Sequence, residues 1–326
     1  MDAVITTKGL RKSFRTRKGA VEAVTGVSLE VGRGEIFGFL GPNGAGKTTT
    51  LRMLTTLLPI DAGTATLAGF DVTRESKQVR QRIGYVSQAG GADDMSTGWE
   101  NLILQGRLYR GDLDSVRTKA KELAEVLNLT EFADRKVMTY SRGQRRRLDL
   151  ALGLIHEPEI LFLDEPTTGL DPQNRANLWD HIRAIRERGS TVFLTTHYLE
   201  EADALCDRVT IMDHGSIVAE GTPRALKREV AGDSVVLGLV DDDLVERVSG
   251  LLRAEPFIRK IRIEDGGLRL SVVDGSAALP ALLRLLDRDQ IALKSISLSE
   301  PTLDDVFLQY TGRSLRDTGH LTEGKV

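Results

Sequence analysis

Cysteine is nearly absent from this chain: Cys206 is the only one among 326 residues. That excludes an intrachain disulfide framework and fits a reducing compartment. No apolar run approaches the roughly 20 residues that a membrane-spanning helix needs. The first residues, MDAVITTKGLRKSF, hold no apolar core of a secretory leader. Neither sign of charge is in excess, the formal net being −3, so nothing pulls the chain generally toward nucleic acid. These absences predict a soluble, cytoplasmic protein that reaches a membrane only through a partner and has no nucleic-acid partner.

What is present is ordinary globular material, 40% hydrophobic and 28% charged. The length suggests two domains. Up to about residue 222, apolar runs of buried-strand length (EIFGFLG, EILFLDEP, STVFLTTH) alternate with helical patterns such as NRANLWDHIRAIRERG. That order predicts an α/β fold around a mainly parallel sheet covered on both faces. VITTKGLRKSF and AVTGVSLEV read as further strands, and a helical subdomain over about 95–157 looks inserted into the plan. Residues 223–232 read as a linker. From 233 to 312 the pattern is β-α-β-β-α-β plus one helix, a small α+β accessory domain of ferredoxin-like order. Residues 313–326 read as a flexible tail. Residues 233–326 carry 12 Lys/Arg against 16 Asp/Glu, so neither part is a polyanion binder by charge.

The sharpest local signal is Gly41-Pro42-Asn43-Gly44-Ala45-Gly46-Lys47-Thr48, continued by Thr49, set between a strand and a helix. Glycines let a backbone wrap phosphate oxygens, with N–H groups turned inward at a helix N-terminus. Lys47 supplies a point charge for β- and γ-phosphates, and the Thr48 hydroxyl a magnesium ligand. In LFLDEPTTGLD, Asp164 and Glu165 end an apolar strand, where open parallel sheets hold ligands. Asp164 is expected to hold Mg²⁺ through water opposite Thr48, and Glu165 to polarise the attacking water. A helix cap would explain one acidic residue there, not the whole run. His197 ends the next strand, TVFLTTH, and reads as a γ-phosphate ligand.

These motifs in this order resemble the ATP-binding cassette (ABC) family of transport ATPases. GPNGAGKTT is similar to its Walker A, Gln88 in IGYVSQ to its Q-loop, and YSRGQ at 140–144 to its signature motif. LFLDEP resembles the Walker B, Gly169-Leu170-Asp171 the D-loop, and His197 the switch histidine. The fold implied is a P-loop NTPase core with an inserted helical subdomain. Phe14 matches the aromatic that stacks on adenine, the alternative being simple core packing. The resemblance also implies Gln88 as a metal ligand and Ser141, Gly143, Gln144 and Asp171 as nucleotide-site residues, with ATP and Mg²⁺ as cofactors. Two copies would pair head to tail, each ATP lying between the Walker A of one and the signature of the other. The C-terminal pattern, ending SEPTLDDVFLQYTG, is similar to ATPase subunits of bacterial antibiotic exporters of the daunorubicin-resistance type. That implies a separate transmembrane permease, ATP-driven export, and a place on the cytoplasmic face of the cell membrane. Gln88 and the segment to about Tyr109 would pass motion to the permease. A cassette acting on ribosomes or DNA fits less well, because the chain has one cassette and no sustained heptads. A purely regulatory switch would need a ligand site in the accessory domain, where no His/Cys cluster or glycine fingerprint stands.

Arg142 departs from the signature, which keeps glycine there. It blocks ATP if that backbone needs positive φ; otherwise its side chain points outward and adds a guanidinium near the phosphates. Retention of Ser141, Gly143, Gln144, Lys47, Asp164, Glu165 and His197 favours a working signature with a tolerated substitution. Arg145, Arg146 and Arg147 span more than half a helical turn and read as a mostly solvated face.

Overall fold

The computed structural model describes residues 2–312 apart from 17–18, 110, 231–232, 242–243, 265–266 and 300. The expected tail at 313–326 lies outside the described residues. The chain divides into two units after Thr222.

The first unit runs β1 (Ala3–Thr16), β2 (Gly19–Gly32), β3 (Ile36–Leu40), α1 (Lys47–Leu54), β4 (Ala62–Leu67), β5 (Phe70–Asp71), α2 (Ser76–Arg82) and β6 (Ile83–Val86). Then come α3 (Gly98–Leu108), α4 (Leu113–Val126), α5 (Arg142–Leu154), β7 (Ile160–Asp164), α6 (Pro172–Glu187), β8 (Thr191–Thr196), α7 (Leu199–Leu205), β9 (Arg208–Asp213) and β10 (Ser216–Gly221). One sheet has the order β10-β9-β3-β8-β7-β6, parallel throughout except for the β9–β10 pair. Every residue of β3, β7 and β8 is buried, which is why these strands read as continuous apolar runs instead of alternating ones. Phe37, Phe39 and Phe162 each pack on Phe193 with ring centroids 5.4–5.6 Å apart.

A second, wholly antiparallel sheet, β2-β1-β4-β5, was not expected from the sequence. β4 is the small-residue segment AGTATL, which carries little strand signal of its own and is held by pairing with β1. Helices α3, α4 and α5 occupy the region expected to be helical. Thr97 and Ser141 open α3 and α5 with reciprocal capping boxes.

The second unit comprises α8 (Pro223–Val230), β11 (Ser234–Leu239), α9 (Val245–Leu252), β12 (Ile258–Glu264), β13 (Gly267–Val272), α10 (Gly275–Arg288), β14 (Leu293–Ser299) and α11 (Leu303–Thr311). Its antiparallel sheet has the order β12-β13-β11-β14, the ferredoxin-like arrangement. Val235, Leu237 and Leu239 alternate along β11 and join Val248 and Leu252 of α9 and Leu282 and Leu286 of α10 in one core. Residues 223–230, read from the sequence as part of a linker, form a helix that packs on α11. Pro223 opens it at the first helical position, where a missing N–H costs nothing.

Candidate functional site

The loop after β3 is shaped by close contacts that only glycine permits. A Cβ on Gly41 would lie 2.2 Å from the Met212 carbonyl oxygen, and one on Gly46 2.4 Å from that of Ala23. Gly46 also has φ +107° and caps α1, turning the helix N-terminus toward the loop. The Ala45 carbonyl accepts from Gly215 N–H at 2.9 Å, tying the loop to the β9–β10 turn. Lys47 is 4% exposed; its Nζ donates to the Gly41 and Pro42 carbonyls at 2.7 and 3.0 Å and lies 3.6 Å from Glu165 Oε1. Burial pulls the Lys47 ammonium below its ordinary pKa, against the opposing pull of Glu165 and Asp164.

β7 brings its acidic end to this loop. Asp164 Oδ1 accepts from the Thr195 hydroxyl at 2.6 Å and from the Thr48 hydroxyl at 3.1 Å. Glu165 follows with φ 45°, a left-handed backbone that costs a non-glycine residue about 1–2 kcal/mol. Its N–H is fixed on the Thr195 carbonyl and hydroxyl, both at 3.1 Å. Its Oε2 accepts from Gln88 Nε2 and the Thr168 hydroxyl, each at 3.3 Å. His197 Nδ1 also stands 3.3 Å from that oxygen, though its alignment falls short of a hydrogen bond. Burial pushes the Glu165 carboxyl up, but His197, Lys47 and Thr168 outweigh it and hold the group below its usual value.

Asn43, Gly44, Gly46, Lys47, Thr48, Thr49, Gln88 and Glu165 line one cavity of about 450 Å³. The Thr48 hydroxyl, the Asp164 carboxylate and Gln88 are hard oxygen donors that suit magnesium, which takes few protein ligands beside phosphate oxygens and water. The Thr48–Asp164 contact shows that the first two already converge. Phe14 is 37% exposed on β1, which sets aside core packing as its role; Lys12 Nζ lies 5.8 Å from its ring centre.

Ser141, Gly143 and Gln144 do not line this cavity. They form the start of α5, where the Ser141 hydroxyl accepts from Gln144 N–H at 3.2 Å and Gln144 Oε1 accepts from Ser141 N–H at 2.9 Å. A Cβ on Gly143 would meet Asn174 Oδ1 at 2.7 Å, so α6 of the same chain already crowds that position. Asp171 caps α6 through Asn174 N–H at 2.9 Å. Arg142 occupies the first position of α5 with helical backbone, and its Nη1 donates to the Gly169 carbonyl at 3.3 Å. The substitution therefore needs no positive φ. Because this bond is long and exposed, Arg142→Gly is expected to keep ATP turnover within about tenfold of the parent, read by steady-state phosphate release.

The arginine run is not a solvated face. Arg146 is 7% exposed and donates to the carbonyls of Ser87 at 2.7 Å, Pro166 at 2.8 Å and Asp164 at 3.2 Å. Arg145 bonds Asp94, and Arg147 donates to the Asn128 carbonyl at 2.9 Å with its guanidinium 5.1 Å from the Phe132 ring centre. Three consecutive arginines obscured the periodicity, yet Arg146 stands three residues after Gly143 and four before Leu150, both buried. Thr195 and Thr168 were also missed, since a hydroxyl near a strand end carries no local signal.

A phosphate-wrapping loop on a parallel sheet, facing an acidic strand end across a polar cavity, defines a P-loop nucleotide hydrolase. Two family models match: the ABC transporter model over residues 24–168, and the C-terminal domain of DrrA1-3-like ATP-binding proteins over residues 221–311. The daunorubicin resistance ATP-binding protein DrrA3 of Streptomyces coeruleorubidus is 44% identical over 320 residues, 97% of this chain and 98% of its own. The doxorubicin resistance ATP-binding protein DrrA of Mycobacterium tuberculosis is 42% identical over 327 residues, 99% and 98% of the two chains. Among solved structures, the dimeric post-hydrolysis state of the ATP-binding cassette MJ0796 with ADP and Pi superposes with a TM-score of 0.62 at 25% identity, covering 67% of this chain and 98% of that one. The chain belongs to the ATP-binding subunits of ABC transporters, in the DrrA-like group. It is an ABC ATPase that binds nucleotide and works with separate transmembrane components.

Proposed function

We propose that the chain hydrolyses MgATP in a head-to-tail pair of its own copies and thereby drives a separately encoded permease that exports a drug or antibiotic-like compound. The observation that carries the pairing is the composition of the cavity: loop, Gln88 and Glu165 line it, while Ser141, Gly143 and Gln144 stand elsewhere on the same chain. A second copy would bring those residues to the nucleotide. The capped start of α5 would then offer its N–H groups and partial positive charge to the γ-phosphate. The export reading is supported by full-length similarity to daunorubicin and doxorubicin resistance proteins.

In this reading the loop N–H groups and Lys47 hold the β- and γ-phosphates, Phe14 stacks on adenine, and Asp171 lies by the composite site through its cap on α6. Magnesium, held by Thr48, Gln88 and Asp164, would neutralise charge on the phosphates. Glu165 takes the proton of the attacking water, and His197 meets the γ-phosphate and keeps that carboxylate in place. No helix among the described residues is long and apolar enough to cross a membrane. The chain would sit on the cytoplasmic face of the cell membrane through its permease, with Gln88 and the segment to Tyr109 carrying the motion.

A mild-detergent pull-down of Glu165→Gln protein from native membranes with ATP tests this. A polytopic membrane protein in stoichiometric amount is the expected companion; ribosomes or DNA without one would sink the export reading.

A further inference from the structure

We propose that Arg146 is the positioning residue through which α5 sets Glu165 and Gln88 of its own chain. The inference rests on the paired-cassette reading above. The three carbonyls that Arg146 holds are not scattered: Asp164 and Pro166 flank Glu165 on both sides, and Ser87 immediately precedes Gln88. One planar guanidinium therefore fixes the backbone on either side of the carboxylate and the backbone leading into the glutamine. A lysine ammonium, a single point of donation, cannot hold that fork. Glu165 needs such support, because its φ of 45° is a conformation that the chain leaves unless its neighbours hold it.

The far end of the Gln88 loop is held by the same helix. Asp149, three residues after Arg146, accepts from Gly91 N–H at 3.0 Å, and the Ser87 carbonyl also takes Gly90 N–H at 3.1 Å. A Cβ on Gly90 would lie 2.7 Å from Asp149 Oδ2, so the loop rides directly on α5. Ser141 caps α5, and Arg146 lies about 7.5 Å further along its axis. When the start of the helix engages the nucleotide of the second copy, Arg146 and Asp149 move with it and set the carboxylate and glutamine of this chain's own site. Occupancy of one site is thus felt at the other.

Arg146→Lys in the full-length chain tests this. Thermal unfolding establishes that the variant folds, and ATP affinity is read in a Ser141→Arg background that blocks pairing. The expected result is affinity within about twofold, kcat lower by about tenfold or more, and a Hill coefficient for ATP hydrolysis falling from near 2 toward 1. A merely structural arginine would lower the unfolding midpoint and leave the Hill coefficient alone; a folded variant with kcat and Hill coefficient unchanged overturns the proposal. If the lysine variant does not fold, hydrogen exchange on chains that keep Arg146 decides. With ATP, amides of residues 87–91 should slow in Glu165→Gln but not in Glu165→Gln/Ser141→Arg; equal slowing in both overturns it. Glu165→Gln that stays single with ATP, read by light scattering, removes the pairing and this inference together. Paired chains with an unaltered Arg146→Lys remove the inference alone.

Discussion

Glu165→Gln is expected to bind ATP as tightly as the parent chain while losing turnover by about 10²–10⁴-fold, the range of a removed general base. Glutamine has the same reach and can still take the Gln88 and Thr168 hydrogen bonds on its carbonyl, so the loop keeps its shape. It cannot take a proton from water. Steady-state phosphate release gives the first number and equilibrium binding of a fluorescent ATP analogue the second. Loss of less than tenfold would move the base elsewhere, with His197 the next group at hand. The same carboxylate sets a pH expectation. Its pKa lies below the ordinary 4.5, because its neighbours outweigh burial. The ionised form, and the stability it contributes, are present above the ordinary value and are lost only as pH falls through the lowered one. The kcat/KM profile should therefore show no loss from Glu165 between neutrality and the usual glutamate range, once ATP's own protonation is accounted for.

Lys47→Met should cut the stabilisation that MgATP confers to between about a half and a tenth of the parent's. A ligand at 100 times its dissociation constant stabilises the folded state by about 2.7 kcal/mol. For a unit of this size that raises the unfolding midpoint by about 5–10 °C. The charge-assisted bonds of Lys47 to phosphate are worth about 1.5–3 kcal/mol, so affinity should fall about 10- to 150-fold. Methionine replaces the apolar stem, and it removes an ammonium that burial already disfavours. The ligand-free midpoint should consequently change less than the lost shift. Differential scanning fluorimetry with and without MgATP reads both. A variant that still shifts as far as the parent would show that the loop N–H groups suffice without the lysine.

How much of this was legible depended on range. The residues of the phosphate loop are adjacent in sequence, and the chemistry requires that adjacency, so Gly41 to Thr49 could be read directly. Asp164 and Glu165 were legible because a charge ending an all-apolar run is rare. Arg146 was misread, since its environment is made of carbonyls from Ser87, Asp164 and Pro166, far away in sequence and with no side chain to announce them. Asp171 and Gly143 proved to have local duties as well: a helix cap and a close approach to Asn174. The helix over 223–230 was hidden because its partner, α11, lies some eighty residues on.

The sequence by itself determined the nucleotide loop, the acidic strand end, the alternating α/β plan of the first unit and the ferredoxin-like order of the second. Each of these rests on short-range pattern: period, punctuation, and neighbours along the chain. Only the tertiary structure decided that Glu165 sits in a strained backbone held by a buried arginine, that Arg142 keeps helical geometry, and that the start of α5 stands apart from the cavity. Those depend on which carbonyls and side chains meet across elements, a matter of packing in three dimensions that no spacing along the chain encodes.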